Sequence, residues 1–98
     1  MPRYHIVLKN SALADMDALR KYDASRIADA IETYLENEPM RVSKSRIKRL
    51  RRISNPDYRL RVGDYRVFYT VEKDAQRVTV LRVMHKDQTL QYYKELEQ

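Results

Sequence analysis

The chain has 98 residues, enough for one small domain (1–98), with 20 basic and 14 acidic side chains and a net charge of +6 at neutral pH. It has no cysteine, one glycine and two isolated histidines. That composition excludes disulfide scaffolds, thiolate metal sites, cysteine nucleophiles, glycine-rich phosphate loops and a histidine-rich zinc site. A domain this small buries only about 60–65% of its unfolded surface, so function is expected on an open face. No apolar run approaches the ~18–20 residues that span a bilayer. Met1–Asn10 lacks the charged start and apolar core of a signal peptide, so a cytoplasmic protein with no membrane partner is expected.

Tyr4–Leu8 alternates as a strand does, with Tyr4, Ile6 and Leu8 on one face. Asn10-Ser11 offers a helix start. Leu13, Met16 and Leu19 follow at helical spacing, with Asp15 and Asp17 expected near the positive N-terminal end. Asp23-Ala24-Ser25 reads as the cap of a second helix, whose stripe is Ile27, Ala30, Ile31, Tyr34 and Leu35. Pro39 ends that element by disfavouring helical geometry in Glu38. Residues 40–56 form a basic block in which Ile47, Leu50 and Ile53 allow a helical turn and Asn55-Pro56 marks a bend.

From Asp57 the period changes to two. Tyr58–Val62 and Tyr65–Val71 flank Gly63-Asp64, a two-residue hairpin loop built on the only glycine. Arg77–Met84 supplies a third strand after a polar loop, and Gln88–Leu96 reads as a last helix or a loosely docked tail. The expected class is α+β: an N-terminal strand, a two-helix hairpin, a three-strand antiparallel meander and a short C-terminal helix. The helices are expected on one sheet face, leaving the other available.

The positive charge is local. Residues 41–66 carry ten basic side chains against Asp57 and Asp64, a block of +8 in a chain of +6. A Gly63-Asp64 turn sets Val62 opposite Tyr65, Arg61 opposite Arg66, Leu60 opposite Val67 and Arg59 opposite Phe68. Tyr58, Leu60, Val62, Tyr65, Val67 and Tyr69 then share a core face. Arg59, Arg61 and Arg66 share the other, with Phe68 as a surface for a base to stack on. Like charges directly opposed in a sheet are unfavourable by about 0.2–1 kcal/mol. Such a cluster points to an anionic ligand, and the planar guanidinium fork suits phosphate. Lys48, Arg49, Arg51 and Arg52 extend this surface as phosphate contacts that give affinity without sequence readout, and Arg82 joins the same set.

The stretch Tyr58–Tyr69 (YRLRVGDYRVFY), then Val78–Asp87 and Tyr92, resembles the RelE/ParE superfamily of bacterial type II toxins. The resemblance implies a compact toxin neutralised by a cognate antitoxin, with ribosome and mRNA as further partners. In the RelE branch the activity is ribosome-dependent mRNA cleavage by 2′-hydroxyl attack on the adjacent phosphate, with no metal and no cofactor. Carried over by position, it implies a catalytic set of Arg59, Arg61, Arg66, His85, Lys86 and Tyr92, with Tyr93 as the neighbouring alternative. RelE has lysines where this chain has Arg59 and Arg61. Arginine does not lose its proton in proteins, so these two become phosphate clamps and the general base is left open. His85 has the intrinsic pKa for acid–base work, but a regular strand through Lys86 turns it toward the core side. The alternative implied by the superfamily is a ParE-like toxin that poisons DNA gyrase and cleaves nothing.

Overall fold

The computed structural model describes residues 3–97. Its elements are strand β1 (His5–Leu8), helices α1 (Asn10–Asp17) and α2 (Lys21–Leu35), and strands β2 (Ile47–Arg49), β3 (Tyr58–Val62), β4 (Tyr65–Glu72) and β5 (Arg77–His85). A 3₁₀ turn (Lys86–Gln88) then leads into helix α3 (Thr89–Leu96). One five-stranded sheet has the order β1-β5-β4-β3-β2. β1 runs parallel to β5, and the other pairs are antiparallel.

The β3–β4 register is the one the glycine turn predicts: Val62 faces Tyr65, Arg61 faces Arg66 and Arg59 faces Phe68. Gly63 has φ +58°, a left-handed conformation that costs any other residue energy. The core lies between this sheet and α2. Ile27, Ile31 and Leu35 pack on Leu60, Val67, Tyr69, Val78 and Val80. Tyr69 is its centre: the ring is fully buried and stacks 5.5 Å from Tyr58, and its hydroxyl donates to the Pro39 carbonyl at 2.6 Å.

Four local expectations need correction. Part of the basic block is a strand, β2, because Ile47 inserts into the core opposite Leu60 and the backbone completes the ladder. α2 begins at Lys21, so Asp23 sits inside its first turn rather than before it; there its carboxylate complements the helix dipole and accepts from the Tyr65 hydroxyl at 3.3 Å. In α1 the buried residue is Ala12, while Leu13 is exposed. Asp15 and Asp17 fall in the last turn of α1, not near its start.

Asp15 is held there by a different partner. β1 stops at Leu8, opposite Val80, and leaves the rest of β5 with an open edge. α1 covers that edge: the Ser11 hydroxyl donates to the Leu81 carbonyl at 2.6 Å. Asp15 accepts from the Val83 backbone N–H at 2.8 Å and from Arg82 Nε at 2.7 Å. Asp15→Ala is expected to cost about 1–2 kcal/mol in chemical denaturation, mainly from the orphaned Val83 N–H, since the Arg82 pair is partly solvated.

The second sheet face is not bare. α3 folds across part of it, and Tyr92 with Phe68 and Met84 forms a small separate core flanked by Leu50, Tyr93 and Leu96.

Candidate functional site

Alternation on β2 and β3 places Lys48, Arg59 and Arg61 on the face opposite α2, and β4 adds Arg66 directly across from Arg61. Among the described residues, no carboxylate lies within ion-pair distance of any of these four side chains. Arg66 donates only to backbone, to the Gly63 and Tyr65 carbonyls at 2.9 Å each. Arg59 is half-buried, and its Nε has no hydrogen-bond partner among the described residues. Burial, then the charge of Arg66, pushes the Arg59 pKa down; burial, then the charge of Arg61, does the same for Arg66. The protein therefore holds several cations together at a cost and, among the described residues, pairs none of them directly with a carboxylate. An oxyanion relieves that cost.

α3 brings an aromatic group to the cluster. Tyr93 packs edge-on to Phe68 at 5.8 Å. Burial raises its pKa, while the charges of Arg59 and Arg66 oppose the rise, so the phenol is held neutral beside two guanidiniums. Tyr92 turns the other way. It is buried against Phe68 at 4.9 Å, and the Arg82 guanidinium lies 5.7 Å from its ring. The tyrosine that faces the arginines is thus Tyr93 rather than Tyr92, because successive helix positions diverge by about 100° and the Phe68 contact fixes the rotation of α3.

Phe68 and His85, also expected at the site, are set apart from the cluster. Phe68 is fully buried beneath α3, so it offers no face for a base and serves as the anchor of that helix. His85 pairs with Tyr65 on the helix side of the sheet, edge-on at 5.5 Å. Its Nδ1 accepts from the Asp87 backbone N–H at 3.1 Å, capping the 3₁₀ turn. His85 therefore points away from the arginines, as strand parity requires. Lys86 lies at the tip of the β3–β4 hairpin, its Nζ 3.6 Å from Asp64. Arg82 is on the arginine side of β5 but is engaged by Asp15, and it lines a shallow groove of about 330 Å³ shared with Asp87, Tyr92 and Glu95.

The basic block is divided in the same way. Lys48 joins Arg59, whereas Arg49 points to the core side, where it donates to the Tyr58 hydroxyl at 3.1 Å and lies over that ring. Arg51 and Arg52 are exposed on the loop that follows, with Arg52 at φ 63°.

A family model described as the ParE toxin of the type II toxin-antitoxin system parDE matches residues 6–90. The chain belongs to that toxin family. It is a RelE-like member of the RelE/ParE superfamily, and so a toxin of a type II toxin–antitoxin system. Solved structures agree. A toxin–antitoxin complex, RelBE2 of Mycobacterium tuberculosis, matches with a TM-score of 0.76 at 28% identity, over 87% of this chain and 93% of that one. The archaeal RelE–RelB complex of Pyrococcus horikoshii matches with a TM-score of 0.70 at 26% identity, over 86% and 96%. Isolated E. coli RelE shares the fold, with a TM-score of 0.62 at 15% identity over 92% and 98%. Among curated proteins no sequence match was found. No helix of the described residues is long and apolar enough to cross a membrane.

Proposed function

We propose that this RelE-like toxin cleaves mRNA on the ribosome without a metal, using the Arg59–Arg61–Arg66 face as its phosphate site. The observation that carries this reading is the set of opposed guanidiniums with no internal carboxylate. In the reaction the ribose 2′-oxygen bonds to the adjacent phosphorus and the bond to the 5′-oxygen breaks. The products are a 2′,3′-cyclic phosphate and a 5′-hydroxyl. The arginines stabilise the negative charge that builds on the non-bridging oxygens. Tyr93, a neutral phenol beside them, is placed to give a proton to the departing 5′-oxygen. Neither a carboxylate nor the imidazole of His85 lies among these groups. In this reading a group of the ribosome takes the 2′-hydroxyl proton, which ties the activity to ribosome-bound mRNA.

This division of labour predicts the behaviour of Arg59→Lys. A lysine at this half-buried place, flanked by Arg61 and Arg66, has its pKa lowered for the same reasons as Arg59. It sheds its proton as pH rises and becomes a base, so log kcat should gain a limb that climbs toward alkaline pH. Wild type should lack that limb, because arginine stays protonated. Superimposable pH–rate profiles would show that position 59 does not reach the 2′-hydroxyl.

The neighbours solved with RelB support a cognate antitoxin for this chain, an acidic or amphipathic segment laid over the basic face or in place of α3. Expression of the toxin should arrest growth, and co-expression with the product of the adjacent reading frame should restore it. Growth arrest accompanied by gyrase-dependent DNA breaks and intact mRNA would replace the nuclease reading with the ParE-type one.

A further inference from the structure

The arginine face does not stop at the hairpin tip. Gly63 is bracketed by two guanidiniums from opposite sides of the sheet. Arg66 donates to its carbonyl at 2.9 Å. From the helix side Arg26 lies against it, with Nη2 3.3 Å from where a β-carbon would stand. A β-carbon at position 63 would make the Arg26 guanidinium give by a few tenths of an ångström. Among the described residues no carboxylate lies within ion-pair distance of Arg26. Asp23, one helical turn earlier, is taken by the Tyr65 hydroxyl at 3.3 Å and by Arg20 at 3.9 Å. Asp64, in the turn itself, is taken by Lys86. Beside Arg26 stands Tyr22, its ring 5.7 Å from the guanidinium carbon and 71% exposed, the most exposed large apolar side chain among the described residues. An open aromatic ring next to an unneutralised guanidinium is the pairing that single-stranded RNA uses, with the base on the ring and the phosphate on the cation. At that exposure Tyr22 is a surface residue and not part of the core.

We infer that Tyr22 and Arg26 form a second RNA contact. A strand whose phosphate sits on Arg66 continues around the Gly63 turn, places its next phosphate on Arg26 and stacks a base on Tyr22. This rests on the nuclease reading above and adds a subsite outside the reacting groups. It binds the strand without touching the scissile phosphate, so it acts on KM and leaves kcat alone.

The test is cleavage of a synthetic mRNA on programmed ribosomes, with kcat and KM measured for wild type and for Arg26→Ala, Tyr22→Ala and Tyr22→Phe. Arg26→Ala and Tyr22→Ala should each raise KM roughly tenfold with kcat within about twofold, and Tyr22→Phe, which keeps the ring, should match wild type. All positions changed are exposed, and a thermal melt confirms that each variant folds. If wild type cleaves and both alanine variants keep its KM, the subsite is wrong while the nuclease reading stands. If Tyr22→Phe loses as much as Tyr22→Ala, stacking is wrong. If KM is unchanged but the complex with the co-expressed adjacent gene product weakens, the patch is a protein contact. A wild type that does not cleave removes both readings together.

Discussion

Arg66→Ala should lower the rate of ribosome-bound mRNA cleavage by about 10²–10³-fold, the usual consequence of deleting one preorganised charge from a site that stabilises an oxyanion. The same logic makes an opposite forecast for stability. Arg61 is exposed, stands directly across from Arg66 and makes no ion pair among the described residues. Arg61→Ala should therefore leave the melting midpoint unchanged or raise it, by up to the ~0.2–1 kcal/mol of a relieved cross-strand repulsion. A pair kept for structure would behave in reverse, losing stability without losing activity. Kinetics on programmed ribosomes together with urea denaturation separates the two cases.

The largest structural effect is expected at Tyr69. The residue is fully buried, stacks on Tyr58 and satisfies the Pro39 carbonyl early in the α2–β2 connection. Tyr69→Ala should cost about 3–5 kcal/mol, a large part of the stability of a domain this size. Tyr69→Phe keeps the ring and removes only the hydrogen bond, so it should cost about 1–2 kcal/mol. Burial pushes the Tyr69 pKa far above its ordinary value, so its hydroxyl stays protonated and the Tyr69→Phe deficit should be flat between neutral and mildly alkaline pH. Urea midpoints at two pH values check both the size and the flatness. Because Tyr69 points to the core and Arg66 to the opposite face, ribosome cleavage by folded Tyr69→Phe should match wild type.

The hairpin was readable because two independent signals coincide there. A single glycine sits between two runs of period two, and shifting the register by one residue would bury the arginines and expose Leu60 and Val67. The position of Arg59, Arg61 and Arg66 on one face followed. The rest depends on contacts distant in the chain. Phe68 has the parity of the arginine face, and only the docking of α3 turns it from an open ring into an anchor. Tyr92 and Tyr93 are adjacent in sequence, and that same contact decides which of them faces the arginines. β2 carries the spacing of a helical turn, yet Ile47 finds its burial opposite Leu60 on a sheet edge. Asp15 carries no local sign that it will close the open edge of β5, a role created by β1 stopping four residues into the ladder. The partnership of Arg26 with Gly63 joins α2 to a turn 37 positions away in the numbering, and neither segment announces it.

The central claim is that the arginine face handles the phosphate at which mRNA is cut. Its most direct test is end analysis of mRNA recovered from translating ribosomes after addition of the purified toxin, with primer extension to locate the cut and enzymatic phosphorylation to read the new ends. The expected result is cuts within ribosome-bound codons, a 2′,3′-cyclic phosphate upstream and a free 5′-hydroxyl downstream, and loss of the cut in Arg66→Ala. Intact mRNA with wild type, or a cut that persists undiminished in Arg66→Ala, would contradict it.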